Sequence, residues 1–146
     1  MKRLELGGRS VAPPAATVEA VPFAELETTP GARGVVLSPE IDFPQIAPFL
    51  DRLDLVVVTF PLFRDGRGFT QARAVREYGK FGGEIRASGH VLPDQANYLR
   101  RCGVDAVMLP DEADEAPWRR ELARFHTAYQ PSVLDGPLGA LRRKIG

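Results

Sequence analysis

The chain has 146 residues, 44% of them hydrophobic and 26% charged, with 19 basic side chains balanced by 19 acidic ones. That length fits one ordinary domain, and a formal net charge of zero gives no pull toward nucleic acid or an anionic membrane surface. One cysteine, Cys102, and two histidines, His90 and His126, are too few for a disulfide framework, an iron–sulfur cluster or a zinc or haem site, so no metal and no cofactor is expected.

The first 33 residues are rich in Ala, Pro, Thr and Glu. They read as an N-terminal arm holding at most one short strand, from Thr17 to Val21, and a turn of helix around Phe23 to Glu27. Lys2 and Arg3 are followed by Glu5 and Gly7 where a signal peptide needs an apolar block, so a cytoplasmic protein is expected.

From residue 34 the pattern becomes regular. Gly34 to Leu37 reads as a short buried strand, and Phe43 to Arg52 as a helix with Ile46, Phe49, Leu50 and Leu53 on one stripe. Leu55 to Phe60 is β-branched and apolar on both faces, which predicts a central strand. The apolar run around it, 55–63, is broken by Thr59 and Pro61 and falls far short of the ~20 residues that cross a bilayer. Thr70 is a suitable N-cap for a helix through Tyr78.

Gly83 to Ser88 predicts a third strand, and Pro93 opens a helix through Arg101 that Gly103 ends as a C′ residue. Ala106 to Leu109 predicts a fourth strand, and Pro117 starts a last helix through Tyr129. Residues 131–146 read as a C-terminal tail whose Arg142, Arg143 and Lys144 form a solvated run. The α/β domain thus spans residues 34–130. Four successive β-α units predict a parallel sheet, either half-barrel-like or open and doubly wound. Sheet edges left by four units predict a homodimer near an outer strand.

Ligands of such folds bind where the strands end. The richest loop on that edge holds Arg64, Asp65, Gly66, Arg67 and Gly68 ahead of a helix N-terminus, with Arg73 further along. Guanidinium forks, backbone N–H groups and the helix dipole suit a small oxyanion there; an ordinary turn capped by Asp65 is the plainer alternative. Gly66 and Gly68 do not make a dinucleotide fingerprint, because Gln71 stands where the third glycine belongs.

In the third strand Glu84, Arg86 and Ser88 share one face. A charge in mid-strand needs a partner or a polar cavity, unless the strand lies at an edge. The expectation is that Arg64, Arg67 and Arg86 converge at the carboxyl edge, with Asp65 or Glu84 in ion-pairing reach of Arg86. Charge counts agree, since residues 64–101 hold eight basic against four acidic side chains. His90, on the same edge, and Asp65 are the candidates for acid–base work, though no nucleophile stands beside them. Cys102 at a helix C-terminus reads as a buried structural thiol.

Three blocks carry a resemblance: Leu53 to Arg73 with its FPLFRDGRGFTQAR core, Gly83 to Gln95 (GEIRASGHVLPDQ), and Arg101 to Ala106. Together they closely resemble the bacterial domain of unknown function 934 family over roughly residues 33–130. The arm departs from the family pattern, with Phe23 where a tryptophan is expected. Members are usually encoded beside the sulfite reductase haemoprotein and are labelled oxidoreductases of sulfite reduction. The resemblance therefore implies a role in assimilatory sulfur metabolism, with sulfite reductase or its electron donor as partner. An accessory binding protein without a redox cofactor of its own fits the residues better than the alternative, a small enzyme acting on an anionic substrate.

Overall fold

The structure, a computed structural model, describes residues 1–7, 18–62 and 65–124. Six strands form one sheet: β1 (Lys2–Glu5), β2 (Ala20–Pro22), β3 (Gly34–Leu37), β4 (Leu55–Phe60), β5 (Glu84–Gly89) and β6 (Ala106–Leu109). Their order across the sheet is β1-β6-β5-β4-β3-β2. From β2 to β6 every neighbouring pair is parallel, and β1 closes the far side antiparallel to β6.

Among the described residues a short 3-10 turn, Phe23–Glu25, links β2 to β3, and four α-helical segments connect or follow the later strands: α1 (Phe43–Ile46, running on as a 3-10 helix Ala47–Arg52), α2 (Arg67–Glu77), α3 (Ala96–Arg101, entered through a 3-10 turn Pro93–Gln95) and α4 (Ala116–Arg124). Pro48 at the start of the 3-10 stretch lacks the N–H that a continuous α-helix would use, so the helix read from 43 to 52 is split in two. α2 starts at Arg67 with Gly66 at its N-cap, which puts Thr70 inside the first turn and corrects its reading as the cap. Gly103 closes α3 with a φ of +95°, a backbone region open to glycine at no steric cost.

Strand order separates the two expected architectures. A doubly wound sheet reverses direction at a switch point. Here each unit from β2 to β6 adds its strand on the same side of the last, so right-handed crossovers lay the helices on one face, as in part of a barrel wall.

Burial agrees. Val35, Leu37, Val56, Val58, Phe60, Ile85, Ala87 and Val107 are at most 1% exposed and belong to one core with Ile46, Ala72, Val75, Leu99 and Trp118. Their neighbours on the other face, Val36, Val57, Thr59, Arg86, Ser88 and Met108, are only half-buried.

The arm holds more regular structure than its composition indicates. The described part of residues 1–33 contributes two strands rather than one, and both are outer strands of the sheet. β1 was missed because Lys2-Arg3-Leu4-Glu5 offers one apolar residue in four. It pairs with β6 through the register Lys2 to Leu109 and Glu5 to Ala106, which turns Leu4 into the core and Arg3 and Glu5 to the opposite face.

The reading of the last helix beyond Arg124, and of the tail at 131–146, lies outside the described residues. No helix among the described residues is long and apolar enough to cross a membrane.

Candidate functional site

At the carboxyl edge of the sheet the loop after β4 delivers Asp65 to the N-terminus of α2. Its carboxylate accepts the Arg67 backbone N–H at 3.1 Å and both arms of the Arg67 guanidinium, Nε at 2.9 Å and Nη2 at 2.7 Å. This charge-assisted fork holds the Asp65 carboxyl at a pKa of about 2, well below its ordinary 3.8. Arg67 also feels the charge of Glu40. The Ser38 hydroxyl donates to Glu40 at 2.5 Å and lowers that carboxyl too.

Gln71 of α2 ties the helix to the loop after β3, its Nε2 donating to the carbonyls of Ser38 and Ile41, each at 2.8 Å. A Cβ on Gly66 would meet only the Phe69 ring, at an ordinary 4.0 Å, whereas one on Gly68 would lie 2.5 Å from the Phe60 ring. Gly68 is therefore required for α2 to approach β4, independently of any ligand. Arg64 lies outside the described residues.

The second group of candidates sits elsewhere. Arg86 and Ser88 are on the face of β5 opposite the helices, next to Val57 and Thr59 of β4. Arg67 and Arg86 therefore belong to opposite sides of the sheet and do not converge. β5 is also no edge strand, since it lies between β4 and β6. Its charges are tolerated for a different reason: Glu84, 2% exposed, pairs with the Arg86 guanidinium and with Arg3 of β1, whose Nη2 donates to Oε1 at 2.8 Å. One carboxylate thus serves two cations contributed by two strands.

Arg73 marks a third place. It lies on the outer side of α2, 3.4 Å from Glu77, in a groove of about 250 Å³ between α2 and α3. Phe69, Thr70, Ala74, Tyr78 and Tyr98 complete the lining. Phe60, Phe69 and Tyr98 pack in sequence as tilted pairs, with centroids 4.9 and 4.8 Å apart and planes inclined by 56° and 52°, and the Arg101 guanidinium lies 5.6 Å from the Tyr98 ring centre. Tyr78 is 75% exposed and Tyr98 44%.

Cys102 is fully buried nearby, and desolvation pushes its thiol above the ordinary value despite the charge of Arg73. Such a thiol is a poor nucleophile. His90 is exposed at the end of β5, where its backbone N–H donates to the Phe60 carbonyl at 2.6 Å.

Sequence reasoning missed Gln71, Arg3 and a buried pair at the opposite edge, Arg76 with Asp105. Arg76 donates to the carbonyls of Phe81, Gly83 and Gly103 and to Asp105 Oδ2 at 2.8 Å. The signal was a charged residue on the same helical stripe as Ala72 and Val75. Among the described residues no three His, Cys, Asp or Glu side chains come together as a metal site would require.

No curated protein and no solved structure matches the chain. A family model described as bacterial protein of unknown function (DUF934) matches residues 34–138, which includes the loop bearing Asp65 and Arg67, the β5 cluster and the α2–α3 groove. The chain belongs to this DUF934 family of bacterial proteins.

Proposed function

We propose that this protein is an accessory factor of assimilatory sulfite reduction that works by docking on a reductase component or its electron donor, with no redox centre of its own. The observation that carries the docking part is the α2–α3 groove. Exposed tyrosines beside arginines, over a packed aromatic base, are a composition enriched at protein interfaces. The sulfur-metabolism part rests on the family resemblance.

Electron transfer by the protein itself has little to draw on, because the one thiol is buried with a raised pKa and the sequence supplies no cluster ligands. A partner surface also suits the edge at Arg67 better than a free oxyanion does. The Arg67 fork is already filled by Asp65, with Glu40 close by, so an added anion would meet two carboxylates for one guanidinium.

The test has two arms. Deleting the gene should impair growth on sulfate or sulfite as sole sulfur source, with rescue by cysteine. Titration calorimetry of the pure protein against the purified reductase components should show binding that weakens with salt and with Arg73→Glu or Tyr98→Ala, at unchanged circular dichroism. Normal growth of the deletion strain, together with no binding to any component, would overturn the reading. The small-enzyme alternative, with His90 or Asp65 as acid–base, would then be assayed on anionic substrates.

A further inference from the structure

The two outer strands of the sheet are finished differently. β2 is three residues long and ends in Pro22, which has no N–H to offer a further strand. β1 carries no such block, and among the described residues nothing pairs with its outer side. At the end of its ladder with β6 the Leu6 N–H donates to the Asp105 carbonyl at 2.8 Å. Backbone direction alternates along a strand, so residues 2, 4 and 6 turn their N–H and C=O groups to β6, while those of Arg3 and Glu5 point away from the sheet.

We propose that the outer edge of β1 pairs antiparallel with β1 of a second copy, about a twofold axis at Leu4, with Arg3 of each chain opposite Glu5 of the other. Three features select this partner and this register. An antiparallel pair about a twofold axis perpendicular to the sheet keeps each face continuous, which requires residues of equal parity to stand opposite one another. Centring the axis on Leu4 makes Arg3 and Glu5 the pair that exchanges both backbone hydrogen bonds, and these are the two residues whose backbone groups point outward.

The same register sets opposite charges across the strands on the face away from the helices and brings leucine to leucine on the helix side. Glu5 lies 3.6 Å from Arg3 of its own chain, a loose contact that leaves its side chain 59% exposed and able to reach across. Arg3 is anchored on Glu84 at 2.8 Å, so the guanidinium it presents is already held in place. The edge is self-complementary in sign, which a strand carrying one kind of charge would not be. The inference is independent of the docking groove, which lies between helices on the other face.

Light scattering of the full chain, with any tag placed at the C-terminus, should give twice the 16.0 kDa chain mass at micromolar concentration. Glu5→Lys sets cations opposite Arg3, and Glu5→Pro removes an outward N–H that β6 does not use. Each should return the mass to 16.0 kDa with an unchanged far-ultraviolet spectrum. Should the proline variant fail to fold, the lysine variant alone decides. A wild-type protein that is monomeric, or a dimer that survives the substitutions, would overturn the proposal.

Discussion

Arg76 and Asp105 meet at 2.8 Å at the amino edge of the sheet, with side chains only 7% and 2% exposed, and between them they fasten α2 to the starts of β5 and β6. The Asp105 carboxylate also accepts the Ile85 N–H at 2.9 Å, so the pair is fully engaged with backbone as well as with itself. Removing one member leaves the other charge buried. Arg76→Ala should cost about 3–5 kcal/mol in urea unfolding. Arg76→Met, which keeps the volume but still abandons Asp105, should recover little of that loss. A Met variant as stable as wild type would mean that the charge contributes nothing.

Close approach of α2 to β4 gives a second prediction. Gly68→Ala would place a methyl group 2.5 to 3.0 Å from three carbons of the Phe60 ring, and α2 must then move or the ring must turn. Overpacking of this kind costs about 1–3 kcal/mol. Combining it with Phe60→Leu should be less damaging than the two single effects added together, because leucine vacates the space the methyl needs. Additive losses would show that the helix, rather than the ring, gives way.

What could be read in advance follows from how each element is stabilised. β3 to β6 and the alternation of units were legible because buried parallel strands need β-branched apolar runs, and 55–58 is such a run. β1 was not, because an edge strand needs only Leu4 inside and draws its partner from residues more than a hundred positions away. The Asp65–Arg67 fork and the Glu84–Arg86 pair were within reach, as their members are two residues apart. Arg3, 81 residues from Glu84, has no local signature. Nor does the separation of Arg67 from Arg86, which depends on which face the helices cover.

The carboxylate shared by Arg3 and Arg86 makes a third prediction. With Arg86→Ala, Glu84 keeps Arg3, and with Arg3→Ala it keeps Arg86, so each single substitution should be milder than the full loss of a buried pair. Only the double variant leaves Glu84, at 2% exposure, without either guanidinium. The two losses should therefore exceed additivity, with a coupling of about 0.5–3 kcal/mol in a double-mutant cycle read by thermal or urea unfolding. Strict additivity would mean that the cations act on Glu84 independently.

The last prediction concerns pH. The Asp65 carboxyl is held near 2 first by the Arg67 guanidinium and then by the Arg67 N–H. A carboxyl whose pKa is depressed on folding contributes stability above its ordinary value of 3.8 and loses that contribution as pH falls through about 2. The wild-type melting temperature should thus fall more steeply across this window than that of Arg67→Ala, which has less to lose. The side chain of Arg67 is 62% exposed, so the difference should shrink in high salt. Carbon-detected NMR of the Asp65 carboxyl gives the direct reading: a titration midpoint near 2 in the wild type, moving up toward 3.8 in Arg67→Ala. The backbone N–H survives that substitution, so the midpoint should stop short of 3.8. If it does not move at all, the backbone bond alone depresses the carboxyl, and Arg67 is free of Asp65 in solution and available to a partner.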